Sequence, residues 1–203
     1  RMSYGKGLSL ANDIIKVISP VCQRIEIAGS IRRKKKTVKD DRGDLYGYER
    51  LLLATGSKPN RLPESSPKVI YYRTLRDYQR LRELTEGKKR FVVIGGGYIG
   101  SELAAALRMQ DKDVTMIFPE VGIGARLFPE DLSKFINDYY REKGVEVHPE
   151  EMVEAVSEDG DELVVTTESG KVWRADAVVA GLGVRPNVEL AEQAGLFVDN
   201  GIV

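Results

Sequence analysis

The stretch Val92-Val93-Ile94-Gly95-Gly96-Gly97-Tyr98-Ile99-Gly100-Ser101-Glu102-Leu103-Ala104-Ala105-Ala106-Leu107 decides the fold. With Phe91 ahead of it, its opening is a continuous apolar run, the pattern of a strand buried on both faces of a parallel sheet. Its last residues are strong helix formers. Between the two, Gly95, Gly97 and Gly100 satisfy G-x-G-x-x-G spacing in strand–turn–helix context. Each glycine has a physical task in such a turn. Gly95 permits the tight bend, Gly97 lets a diphosphate approach the backbone, and Gly100 lets the helix pack on the strand. Main-chain N–H groups along Gly95, Gly96, Gly97, Tyr98, Ile99 and Gly100, with the partial positive charge of a helix start, then favour an anion. The competing reading is a glycine-rich turn that binds nothing.

Outward from this turn the chain alternates strand and helix. Val114-Thr115-Met116-Ile117-Phe118 reads as a second buried strand, Val145-Glu146-Val147 as a third and Asp176–Leu182 as the last. A helix is expected after Thr74, which with Asp77 resembles a capping box; Leu75, Tyr78, Leu81 and Leu84 would line its inner face. Another follows Pro129, with Leu132, Phe135, Ile136 and Tyr139 as its apolar stripe, and stops at Gly144. Strands near 151–156, 162–168 and 171–175 are joined by Asp159-Gly160 and Ser169-Gly170, which signal hairpins. Leu51-Leu52-Leu53-Ala54 reads as one more strand buried on both faces. The expected fold is α/β. It is a Rossmann-like parallel sheet with helices and a three-stranded antiparallel β-meander, plus a small α+β N-terminal segment. The expected divisions are 1–38, 39–66, 67–188 and 189–203.

Composition removes several classes. The 203 residues hold 31 basic and 31 acidic side chains, so the formal net charge is zero. Global attraction to nucleic acid or an acidic membrane is therefore not expected. A single cysteine, Cys22, excludes an in-chain disulfide or dithiol, and a single histidine, His148, excludes a multi-histidine metal centre. No metal site is expected. No apolar run approaches the length needed to cross a bilayer, and no signal-peptide pattern opens the chain, so a cytoplasmic location is the expectation.

A dinucleotide site of this type needs an acid for the adenosine ribose near the end of the second strand. Glu120, in Phe118-Pro119-Glu120, lies 20 residues after Gly100. Its charge would repel a 2′-phosphate and favour NADH over NADPH. Arg126 is close enough in sequence to argue the other way, and a solvated loop acid is the alternative for Glu120.

Taken together, the glycine turn through Glu102 resembles the nicotinamide-binding loop of two-dinucleotide flavoproteins, the pyridine nucleotide-disulfide oxidoreductase superfamily. Leu51-Leu52-Leu53-Ala54-Thr55-Gly56-Ser57-Lys58-Pro59 is similar to the family's A-T-G-x-x-P segment. Ala180-Gly181-Leu182-Gly183-Val184-Arg185-Pro186-Asn187 is similar to its G-x-x-P-N strand exit. The resemblance covers about 39–203 and is nearest to the apoptosis-inducing-factor-like and ferredoxin-reductase-like branches. It implies an NAD(P)H-binding domain over 67–188, with edges of an FAD domain at 39–66 and 189–203. It further implies hydride transfer from NADH to FAD in the complete enzyme. Glu102 would stand near the nicotinamide and flavin rings as the catalytic acid. Gly181 and Gly183 would line the nicotinamide side, and Ala54, Thr55 and Gly56 would touch the flavin. An electron carrier or a second copy of the chain is the implied protein partner.

Residues 1–38 lack the second glycine fingerprint that a full family member carries for FAD. Glu26-Ile27-Ala28-Gly29-Ser30-Ile31-Arg32-Arg33 instead resembles the G-S-x-R-R motif of family X DNA polymerases and related nucleotidyltransferases. The metal-binding aspartate pair of that family is broken, because Arg42 stands where the second aspartate should be. A solvated basic turn is the simpler account. The change of resemblance near residue 39 raises a chimera; a non-catalytic dinucleotide-binding module is the alternative function, and a nucleotidyltransferase-like nucleic-acid-binding protein the second alternative.

Overall fold

The computed structural model describes residues 37–39, 42–48 and 51–203. The helix and strand expected before residue 30 lie outside them. The chain divides into two compact units, Arg1–Ser57 with Pro186–Val203, and Lys58–Arg185. It passes between them through two short strands, β3 (Ser57–Pro59) and β13 (Val184–Pro186).

The Lys58–Arg185 unit is built on a five-stranded parallel sheet in the order β5-β12-β6-β7-β8. Its strands are β5 (Ile70–Tyr71), β6 (Arg90–Ile94), β7 (Asp113–Ile117), β8 (Val145–His148) and β12 (Ala177–Ala180). The central strands are buried on both faces, as their unbroken apolar runs require. The register pairs Val93 with Met116 on one side and with Val179 on the other. Helices α1 (Leu75–Gly87), α2 (Tyr98–Arg108) and α3 (Glu130–Glu142) complete the α/β layer.

The expected meander is present as β9 (Val153–Asp159), β10 (Glu162–Thr167) and β11 (Val172–Ala175), and β4 (Glu64–Ser65) joins it alongside β9 in parallel. Gly160 and Gly170 take positive φ in its two turns. A second apolar cluster, which includes Val156, Val165, Ala175 and Val178, packs meander and sheet together. At the edge, the Asp176 carboxylate accepts from the backbone N–H groups of Lys89 and Arg90 and from the Arg90 guanidinium.

In the other unit, β1 (Thr37–Lys39) and β2 (Leu45–Gly47) form an antiparallel hairpin around Gly43, whose φ is +94°. A short helix, α4 (Glu189–Gln193), follows Asn187.

Three expectations change. Leu51–Ala54 is not a strand: it has no sheet partner among the described residues, and Leu52 is 86% exposed. On α1 the capping box forms, with the Asp77 N–H donating to Thr74 Oγ1 and the Thr74 N–H to Asp77 Oδ2, yet only Leu81 and Leu84 pack inward. Leu75 and Tyr78 are exposed. On α3 only Ile136 of the four stripe residues packs on the core, while Leu132, Phe135 and Tyr139 face outward. Ser133 and Asn137 are buried in their place. The cause is the loop before the helix. The Ile123 N–H donates to Asn137 Oδ1 at 2.9 Å, and Asn137 Nδ2 donates to the Val121 carbonyl at 3.1 Å. Gly122 lies so close to Ser133 that an added Cβ would sit 2.6 Å from its carbonyl carbon. Docking of the loop at 121–123 on Ser133 and Asn137, with Ile136 and Tyr140 against the core, sets the rotation of α3.

Candidate functional site

A cleft of about 650 Å³ opens along the carboxyl ends of the parallel strands, within the Lys58–Arg185 unit. The glycine turn forms its floor. Gly95 has φ +111°, and an added Cβ would lie 2.5 Å from the Gly181 carbonyl oxygen. An added Cβ at Gly100 would fall 1.9 Å from the Gly95 carbonyl oxygen, and one at Gly96 would meet the Phe118 ring at 2.8 Å. These three glycines therefore serve close packing. Gly97 differs: it is the N-cap of α2, and a Cβ there would meet nothing within 4 Å. Its open side is a cradle that any side chain would begin to fill. The first turn of α2 carries no acid, so its N–H groups and dipole face the cleft unneutralised. Such a floor suits a diphosphate.

At one side Glu120 follows β7. Its carboxylate Oε1 accepts from Arg126 Nε at 2.8 Å and Nη2 at 2.7 Å. Both side chains line the cleft, together with the exposed Leu127 and Met152. At the other side stand Gly181 and Gly183, beyond β12. The Gly181 N–H donates to the Ile94 carbonyl at 2.8 Å, and Gly183 takes φ +79°. Asn60 braces this rim through its N–H to the Gly183 carbonyl and its Nδ2 to the Leu182 carbonyl.

The cleft thus brings together Gly95, Gly96, Gly97, Tyr98, Ile99, Glu120, Arg126, Gly181 and Gly183. Gly100 sits just behind its floor. Glu102 does not line it; it is exposed on α2, one turn past Tyr98. Ala54, Thr55 and Gly56 belong to the other unit. There the Thr55 hydroxyl donates to the Asn187 carbonyl at 2.5 Å, Asn187 Nδ2 donates to the Thr55 carbonyl at 2.8 Å, and the Asn187 N–H donates to Gly56. The two motif segments are stapled to each other by backbone and side chain alike.

Several lining residues carry no sequence signal. Arg61 places its guanidinium 4.6 Å over the Tyr71 ring, and the Tyr71 hydroxyl accepts from the Leu62 N–H. Glu151 is buried beside the cleft. The Lys171 ammonium and the Ser169 hydroxyl hold its carboxyl down to about 2. His148 lies edge-on to Trp173 and bonds Glu146 at 2.7 Å. Among the described residues no group of three or more His, Cys, Asp or Glu is placed to hold a metal ion, and no helix is long and apolar enough to cross a membrane.

Comparison with known proteins shows the family of the chain. The chain matches the pyridine nucleotide-disulphide oxidoreductase family over residues 9–203. It is 35% identical over 192 residues to the mitochondrial apoptosis-inducing factor 1 of Dictyostelium discoideum, covering 86% of this chain and 36% of that protein. Among solved structures, the ferredoxin reductase for the CYP199A2 system of Rhodopseudomonas palustris superposes with TM-score 0.78 at 33% identity. The superposition covers 84% of this chain and 43% of that one. The water-forming NADH oxidase of Lactobacillus brevis, solved bound to NADH, gives TM-score 0.70 at 30% identity over 77% of this chain and 36% of that one. The chain spans less than half the length of each. The match also corrects the expected start of the resemblance. It begins at residue 9 and runs across residue 39, which lends no support to a nucleotidyltransferase-like fragment or a chimeric junction there. From its glycine turn, its strand order and this match, the chain belongs to the pyridine nucleotide-disulphide oxidoreductase family.

Proposed function

We propose that this chain carries the NADH-binding domain of an FAD-dependent oxidoreductase, with residues 67–188 as its core. The open backbone cradle at Gly97, at the mouth of α2, carries the reading. Held there, NADH would supply a hydride, and FAD, when bound, would be its acceptor. The chain's part is to bind and orient. The N–H groups from Gly96 to Ile99 hold the diphosphate, and the Glu120 carboxylate accepts from the adenosine ribose hydroxyls. Gly181 and Gly183, which lack side chains, leave room for the nicotinamide. Tyr98, 65% exposed at the start of α2, forms one wall.

Glu120 favours NADH over NADPH, because its charge opposes a 2′-phosphate. Glu102, exposed one turn along α2, is the proposed acid beside the reacting rings. Ala54, Thr55 and Gly56 are the proposed flavin contacts in the other unit. An electron carrier is the proposed acceptor, supported by the likeness to a ferredoxin reductase.

Titration of the purified chain with NADH and NADPH, with an absorbance scan of the same sample, tests this. Tighter binding of NADH and its loss in Gly97→Val are expected. Flavin absorbance in the sample would extend the reading to FAD. Unchanged NADH affinity in Gly97→Val overturns it.

A further inference from the structure

The loop bearing Glu120 is held from one direction by a second segment. The Phe118 N–H donates to the His148 carbonyl, the Glu151 N–H to the Phe118 carbonyl at 3.0 Å, and the Glu150 N–H to the Glu120 carbonyl at 3.0 Å. Glu150 does this in left-handed backbone at φ +60°, a conformation a non-glycine residue keeps only where its surroundings enforce it. Its neighbour is anchored at a distance along the chain. The Glu151 side chain is 8% exposed and reaches the tip of the β10–β11 hairpin. There it accepts from Ser169 Oγ at 2.6 Å and from Lys171 Nζ, while Ser169 Oγ bonds Thr167 Oγ1 at 3.0 Å. The Glu168 N–H closes the same junction on the Met152 carbonyl.

A chain of contacts therefore runs from an exposed lysine on the meander to the backbone of Glu120. We infer that Glu151 is a positioning residue, anchored by Ser169 and Lys171, that sets the turn carrying Glu120 and so governs recognition of the adenosine half of the dinucleotide. The inference rests on the NADH reading above. Glu151 touches the ligand nowhere in this scheme; it acts through the two N–H groups of residues 150 and 151. Its charge suits the task. The Lys171 and Ser169 hydrogen bonds keep the carboxylate ionised well below neutral pH.

The test compares two probes on the whole chain: NADH, and reduced nicotinamide mononucleotide, which lacks the adenosine half. In Glu151→Gln the Kd for NADH is expected to rise on the order of ten-fold, as for a site whose support is loosened. The Kd for the mononucleotide should stay within about two-fold. Lys171→Met, altered at an exposed position, should move NADH in the same direction and serves if Glu151→Gln does not fold. Equal losses for both probes, or NADH affinity unchanged in either folded variant, overturn the inference. A wild-type chain that binds neither probe overturns the dinucleotide reading itself, and the inference with it.

Discussion

Glu120 and Arg126 are paired at one side of the cleft, with both Nε and Nη2 of the arginine on one carboxylate oxygen. The acid proposed to accept from the ribose and the cation able to meet a 2′-phosphate are thus already paired with each other. Removing the acid frees the cation. Glu120→Ala is expected to weaken NADH on the order of ten-fold, the worth of a hydrogen bond to a charged group. It should also narrow the gap to NADPH. Parallel titrations with both coenzymes read the ratio, and a ratio unchanged from wild type contradicts the assignment.

The glycines separate by experiment. Gly100→Ala drives a methyl into the Gly95 carbonyl and should cost about 2–3 kcal/mol of stability. Gly97→Ala meets no atom, so its stability should stay within about 1 kcal/mol of wild type while NADH affinity falls. Thermal melts alongside coenzyme titration distinguish the two. Equal destabilisation would show that Gly97 is a packing glycine as well.

Acid stability should report Asp176. Burial alone would raise its pKa, but the Arg90 guanidinium and the N–H groups of Arg90 and Lys89 bring it to about 2, against an ordinary value of 3.8. The folded value is the lower one, so this group contributes stability above the ordinary carboxylate range and loses it as pH falls toward 2. Asp176→Asn should cost about 2 kcal/mol at neutral pH and flatten the fall of stability between about pH 4 and pH 2. Urea unfolding across that range measures it.

On α3 the inside-out assignment gives opposite expectations for neighbours. Phe135→Ser, at a residue 65% exposed, should change stability by less than about 0.5 kcal/mol. Ser133→Leu, at a fully buried site against Gly122, should cost about 3 kcal/mol. Denaturant midpoints of the two variants decide the matter.

In the other unit, Asn187→Ala removes the donor to the Thr55 carbonyl and should cost about 1 kcal/mol. Hydrogen exchange at Gly56 and Asn187 should accelerate with it. Unchanged exchange would mean that the staple contributes nothing.

Much of this was legible in the sequence where the signal is local. The run from Phe91 to Leu107 carries strand, turn and helix within one stretch, and the structure follows it, adding only that α2 begins at Tyr98. The hairpin turns at Gly160 and Gly170 are equally local. The failures are all questions of what lies opposite. Leu51–Ala54 has a strand's composition, but composition supplies no neighbour to pair with. Leu132, Phe135 and Tyr139 have helical spacing, yet the loop at 121–123 chose the opposite face through Asn137. Glu151 resembles any surface acid until the hairpin tip, 18 residues later, is folded against it. Pairings of that kind have no periodicity to read.

The order of strands also bears on how the molecule is made. The last strand of the parallel sheet, β12, lies between β5 and β6 rather than at an edge. While the ribosome is still delivering residues before 177, β6 is open along one whole side, and Gly95 lacks the Gly181 backbone that crowds it. The glycine turn can be synthesised early, but it acquires its final shape only when the nascent chain is some 80 residues longer. A truncated or stalled product would thus display an unpaired apolar edge to chaperones and proteases, not a working coenzyme site.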